Sequence, residues 1–480
     1  MGRSLYYCQR LCYIFGIAIA VGFVGCKENL PGHNIKIKVT GVNDTICFLA
    51  NYYGEKQYYK DTAQVNAEGY IVFEGTDTLP GGVYSVILPG TKYFEFIVEE
   101  QHFTLETDSS DYIGNMQITD SDENELFYKY LQLIKIKQTE SKKIRQRIEV
   151  LGENHDSTSI YNEMLAAIDV EVEDIRNEII EEDEDLFVSV MFKAMKDPEI
   201  PEFPLLENGK KDSISEYNYY KEHFLDNVDI SDSRLLRSPV LHKKVTTYLH
   251  NVVTQNPDSI IKEIDMIIDR TSGNEETFKY FVSYLTSYYE LSKIMGMEAV
   301  FVHMAYRYYM TGQVDWVDSV QMAKIEERAT ILRPLLLGNR AENLVLKDIN
   351  GMHRSIYEIK SDFTVLWFWD PDCGHCKEAT PKLAEIYNSH DRKDVEIYAV
   401  GIMSELDDWQ KFITENNLSW INVNDVERKV DLRKTYDIYS TPVIFLLDKK
   451  KEIMAKRITV ESLGEILDQV IVQEAEKQLK

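Results

Sequence analysis

Phe363-Thr364-Val365-Leu366-Trp367-Phe368-Trp369-Asp370-Pro371-Asp372-Cys373-Gly374-His375-Cys376 is the stretch on which the reading of this chain turns. Its first seven residues form an apolar, aromatic and β-branched run of strand length. Two cysteines follow, two residues apart. Lys377 to Tyr387 then reads as a helix, with Pro381 five residues past the second cysteine. A strand, a loop and a helix in that order put Cys373 at a helix N-terminus, where free backbone N–H groups and the helix dipole favour an anion. The thiolate is the nucleophilic form of cysteine, and such a setting brings its pKa into a range of roughly 3.5–7.5. A pair at this spacing can close as a small disulfide and open as a dithiol, so it can exchange electrons with another protein's thiols.

Outward from this stretch, residues 338–480 alternate strands and helices. The strand at 363–369 is followed by a helix at 376–387, the apolar strand Val395 to Ile402 and a helix from Asp407 to Asn416. A short strand at Ser419 to Val423, a helix at Val426 to Tyr436, the strand Val443 to Leu447, a strand at Glu452 to Ile458 and a closing helix at 461–477 complete it. Such alternation implies a sheet covered on both faces, an α/β domain. Before it, residues 121–337 are helical in texture, with Leu126, Tyr130, Leu131 and Ile134 at helical spacing and a break at Pro198, Pro201 and Pro204. Residues 34–120 alternate apolar and polar in short runs (Ile35-Lys36-Ile37-Lys38-Val39 is the first) divided by turn pairs such as Pro89-Gly90, which predicts a small antiparallel β-sandwich.

The N-terminus reads as a leader. Arg3 and Arg10 are its basic end, and Tyr13 to Val24 is an apolar run of 12 residues, too short to span a bilayer and suited to a signal segment. It closes on Phe23-Val24-Gly25-Cys26, which resembles the lipobox of bacterial lipoproteins. The expected organisation is a signal peptide at 1–25, acylation at Cys26, a tether at 26–33, and the three domains above, with the protein exported, lipid-anchored in the cell envelope and facing the periplasm. A net charge of −27 argues against nucleic acid as a partner. Of the six cysteines, Cys8 and Cys12 leave with the signal and Cys47 sits in an apolar stretch as a small hydrophobe. One C-x-x-C retained in an exported chain points to redox work.

Residues 338–480 resemble the thioredoxin fold, in particular the membrane-anchored envelope thiol–disulfide oxidoreductases of the TlpA/ResA type. The resemblance rests on Trp369-Asp370-Pro371-Asp372-Cys373-Gly374-His375-Cys376, on Pro381, which matches the proline that kinks the active-site helix, and on Thr441-Pro442, which matches the family's cis-proline beside the cysteines. The whole layout resembles multidomain lipoproteins common in the Bacteroidota. The resemblance implies that Cys373 attacks a partner's disulfide, Cys376 resolves the mixed disulfide, Pro442 shapes the groove for the partner's backbone and His375 supports the Cys373 thiolate. Protein thiols and disulfides would be the partners, together with a membrane electron donor. Reduction and isomerisation of protein disulfides are both compatible with it, and so is oxidation.

Three positions depart from the pattern. Trp367 stands where thioredoxin has a buried Asp. Ala379 stands where the envelope reductases carry a Glu, and the neighbouring Glu378 is about 100° away around the helix. Asp370 or Asp372 could replace the missing carboxylate, although Asp372 beside Cys373 could equally oppose the thiolate. A zinc site lacks two further ligands, haem attachment needs a His where Lys377 stands, and a peroxiredoxin needs a Thr where Asp370 stands. No cofactor or metal is expected. A rival reading takes the long first two domains as holding a partner, with the redox domain as an accessory.

Overall fold

The computed structural model describes residues 31–152, 157–402, 405–427 and 429–478. The leader at 1–25, the candidate acylation site Cys26 and most of the 26–33 tether lie outside the described residues.

The alternating N-terminal sequence forms eight strands: β1 (His33–Thr40), β2 (Ile46–Tyr53), β3 (Lys56–Gln64), β4 (Tyr70–Gly75), β5 (Gly82–Leu88), β6 (Lys92–Val98), β7 (His102–Asp108) and β8 (Gln117–Thr119). They pair in two sheets, β4-β1-β7-β8 and β3-β2-β5-β6. Alternate residues of β1 and β7 (Ile35, Ile37, Leu105) and of β2 and β5 (Leu49, Val86) turn inward and are buried. The pairing is antiparallel except between β1 and β7, which run parallel. The chain leaves β1, threads the other strands, and re-enters the same sheet in the same direction; no short-range pattern announces that return.

Helices α1 (Asp122–Leu151), α2 (Thr158–Glu182), α3 (Phe187–Met195), α4 (Ser213–His223), α5 (Ser233–Leu236), α6 (Val240–Thr247), α7 (Pro257–Asp269), α8 (Glu275–Glu290), α9 (Glu298–Met304) and α10 (Ser319–Leu332) follow. Ser121 caps α1 by accepting from Asn124 N, and Asp122, Glu123 and Glu125 complement the dipole of its first turn. Helix α3 is not legible in the sequence. Its run Phe187-Val188-Ser189-Val190-Met191-Phe192 is apolar on nearly every side, so it lacks helical periodicity. Its N-terminus is held instead by the distant Glu123, whose carboxylate accepts from Phe187 N at 2.5 Å and Val188 N at 3.0 Å.

The C-terminal unit comprises β9 (Val345–Asp348), β10 (His353–Ser355), β11 (Phe363–Trp369), α11 (Gly374–Ser389), β12 (Val395–Gly401), α12 (Leu406–Glu415), β13 (Ile421–Asn424), α13 (Leu432–Tyr436), β14 (Val443–Leu447), β15 (Ile453–Lys456) and α14 (Val460–Gln478). One sheet orders them β10-β9-β13-β12-β11-β14-β15. The apolar strand β11 is central and buried on both faces. Val365, Trp367 and Trp369 pack with α11 and α14, and Leu366 and Phe368 pack with Tyr398 and Tyr436 on the other side. The helix expected over 426–436 shrinks to α13. Asp425 accepts from Lys429 N at 2.8 Å and Val430 N at 3.1 Å, so a side-chain turn takes the backbone donors that a helix would use. Strand β10, three residues long, is too short to show a period.

Candidate active site

The register of the central strands brings the site together. β11 runs parallel to β12 but antiparallel to β14, with Phe368 opposite Val443. The chain leaving the end of β11 therefore meets the chain entering β14. The first carries Cys373 and the second carries Thr441-Pro442. The Thr441–Pro442 peptide is cis. The cysteine loop is itself fastened: Ile402 N donates to Trp369 O at 2.8 Å, Cys373 N to Asp370 O at 3.2 Å, and Asp372 N to Asp370 Oδ1 at 2.8 Å. Pro371 is buried within it.

Cys373 occupies the N-cap of α11 and is partly exposed. Burial alone would push its thiol up. Hydrogen bonds from Thr441, from the Cys376 thiol and from the backbone N–H groups of Cys376 and His375 outweigh that effect and hold it below an ordinary cysteine. In the thiol form its Sγ donates to Thr441 O at 3.4 Å. A Cβ at Gly374 would meet nothing within 4 Å, so the approach to the pair beside it is open. Cys376, one helical turn inward, is fully buried, and burial pushes its thiol up to about 12. Both are free thiols. The two sulfurs thus have opposite characters: one is stabilised as an anion at the surface, the other is kept protonated inside.

The remaining sequence candidates divide. Asp370 reaches Cys376 through its backbone N–H, which lowers that thiol slightly against the larger effect of burial, while its carboxylate takes the Asp372 N–H. Asp372 is exposed. The His375 ring is 85% exposed, and its Nδ1 lies 3.9 Å from Glu378 Oε2. Its support of Cys373 comes through the backbone N–H. Trp369 is buried and stacked on Trp367, with ring centroids 5.2 Å apart at 9°. Trp367, also fully buried, belongs to the same apolar cluster as Cys376. Within α11, Pro381 lies one turn past Cys376.

A cleft of about 710 Å³ opens between the cysteine loop and the loop before β14, lined among others by Asp370, Ile402, Leu432, Ile438, Tyr439 and Thr441. Apart from Asp370 and Thr441, these walls escaped the sequence reading, because they come from two separate connections of the sheet, β12 to β13 and β13 to β14. The one local signal was Asp437, whose left-handed backbone (φ 55) ends α13 as such residues commonly do.

A family model described as thioredoxin-like matches residues 361–453, which bracket this site. Two models for domains of unknown function match residues 33–127 and 171–333. The sporulation thiol-disulfide oxidoreductase A of Bacillus subtilis is 33% identical over 127 residues, spanning 25% of this chain and 75% of that protein. The thiol-disulfide oxidoreductase ResA of Geobacillus thermodenitrificans is 26% identical over 137 residues, 28% of this chain and 78% of the relative. Among solved structures, a domain of a possible thiol-disulfide isomerase from Cytophaga hutchinsonii is 41% identical, covers 31% of this chain and 99% of its own, and has a TM-score of 0.28.

Proposed function

This chain belongs to the thioredoxin-like thiol–disulfide oxidoreductases, and from that premise we propose that Cys373-Gly374-His375-Cys376 is its redox centre and acts on protein disulfides from a lipid anchor at Cys26 in the cell envelope. One observation carries the reading of the site: a surface thiol favoured as thiolate faces Thr441 O next to cis-Pro442, with a protonated thiol one turn behind it.

The chemistry follows from that asymmetry. The Cys373 thiolate attacks one sulfur of a partner's disulfide. A Cys373–partner bond forms, the partner's S–S bond breaks, and its other sulfur leaves as a thiolate. Cys376 then gives up its proton and attacks Cys373 Sγ, closing the Cys373–Cys376 disulfide and releasing the partner's second thiol. Two electrons have passed from the pair to the partner. Turnover as a reductase needs a dithiol donor to reopen the pair, and a membrane electron donor would fill that role. Isomerisation needs only the first step and its reversal at a different cysteine. Burial favours the protonated form of Cys376 and so opposes the resolving step, which suits a partner whose cysteines must be rearranged.

The anchor and the periplasm-facing location rest on the sequence of the leader and on Cys26. Metabolic labelling with a fatty acid, lost in Cys26→Ala, tests them. For the redox centre, Cys376→Ser should accumulate covalent adducts on non-reducing gels that vanish with reductant and in a Cys373→Ser background. Absence of any Cys373-dependent adduct overturns the assignment. A potential near or below about −270 mV assigns the pair to reduction, one near about −120 mV to oxidation.

A further inference from the structure

The loop that carries Thr441 and Pro442 is held by a residue from outside the thioredoxin-like unit. Residues 437–442 run from the end of α13 to the start of β14. At the β14 end the loop is fixed by the pairing of Val443 with Phe368. At the other end stands Asp437, only 2% exposed and in a left-handed conformation. Two guanidinium groups take its carboxylate. Arg457, from the connection after β15, bonds Asp437 Oδ2 and Asp437 O at 2.6 Å each, and its own N–H donates to Ile444 O at 2.7 Å. Arg328 of α10, in the helical unit, bonds the other oxygen, Oδ1.

A buried carboxylate needs partners, and its backbone goes where those partners hold it. Ile438, Tyr439 and Thr441, which wall the cleft, lie within four residues of Asp437, and Thr441 O is the acceptor that faces Cys373. A second contact pins the two units nearby: Lys456 is 5% exposed, pairs with Glu298 of α9 at 2.5 Å and donates to Leu335 O at 2.6 Å. Arg328 and Lys456 thus join the helical unit to the Asp437 end of the loop and to β15.

We propose that Arg328 is a positioning residue for substrate: through Asp437 it sets Ile438 and Tyr439, while the Val443–Phe368 pairing keeps Thr441 and Pro442 in place, so that the helical unit forms part of the cradle that receives a partner polypeptide beside Cys373. The inference rests on the thiol–disulfide exchange reading above. It separates two kinds of substrate. A polypeptide lies along the loop and feels its position, whereas a small non-peptide disulfide needs only the Cys373 sulfur.

The test uses the full chain with two probes, a synthetic disulfide-linked peptide dimer and hydroxyethyl disulfide. Arg328→Ala should raise KM for the peptide about tenfold with kcat within about twofold, since binding geometry and not the attacking sulfur has changed. Its rate with hydroxyethyl disulfide and the pH profile of Cys373 alkylation should match the unsubstituted chain. Arg328→Lys, which keeps the charge, should recover most of the KM. Asp437→Asn tolerates the left-handed backbone, should reproduce the split, and decides the question should Arg328→Ala not fold. An unchanged peptide KM in folded Arg328→Ala or Asp437→Asn overturns the proposal, as does an equal loss with both probes. An unsubstituted chain inert to both probes would bring down the exchange reading itself, and the role of Arg328 with it.

Discussion

Cys373 and Cys376 are separated by one helical turn, yet their thiols shift in opposite directions: burial pushes Cys376 up, while at Cys373 hydrogen bonds from Thr441, from Cys376 and from the first N–H groups of α11 outweigh burial and hold the thiol down. Iodoacetamide at neutral pH should label Cys373 in the reduced chain faster than a peptide thiol and leave Cys376 unlabelled, as peptide mapping after timed quenching would reveal. Equal labelling of the two would contradict the arrangement. Cys376 also gives the reduced protein an alkaline weakness. Its folded value of about 12 lies above the value of 9.0 for an unperturbed thiol. Between those limits the unfolded chain has released a proton that the native state still binds, so stability falls as pH rises through the window. Urea melts at pH 8 and pH 10.5 should show that loss in the reduced chain and a smaller one in Cys376→Ala. The cysteine pair, its strand and its helix were all legible from sequence, since each lies within a few residues of the others. The outward turn of the His375 ring was not, because it depends on how α11 docks.

At the scale of elements, the clearest case is the capping of α3 by a side chain from α1. Burial pushes the Glu123 carboxyl up to about 7, although the Phe187 and Val188 N–H groups pull the other way. An unfolded glutamate has already lost its proton at lower pH, so the native state binds more protons between about 4.5 and 7 and loses stability as pH rises across that span. Glu123→Gln should flatten this part of the pH profile, measured by chemical denaturation at pH 5 and pH 7. Glu123→Ala should cost about 2 kcal/mol by leaving the first N–H groups of α3 unpaired. Other elements were readable to different degrees. Strands β11, β12 and β14 announce themselves as apolar runs. Helix α13 lies inside the helix that the sequence predicts over 426–436, but its start does not show, because Asp425 diverts the preceding segment into a turn.

At the scale of the molecule, the helical and thioredoxin-like units share buried charge. Lys456 has its ammonium pressed toward the neutral form by burial, and Glu298 answers it. Glu298→Gln strands that charge, so it should destabilise the chain by about 3 kcal/mol and separate the melting of the two units in calorimetry. A single unshifted transition would show that the pair does not couple them. The order of units (β, then helical, then α/β) was written in the shifting periodicity of the chain, as were the cysteine pair and its strand–loop–helix setting. These rest on interactions a few residues long, which repeat along the sequence and so can be read from it. The approach of Thr441 to Cys373, the parallel return of β7 beside β1 and the grip of Arg328 on Asp437 were decided only by the tertiary structure. Each joins residues far apart in the chain. Such contacts leave no period behind them, and they exist only once sheet register and burial have brought the partners together.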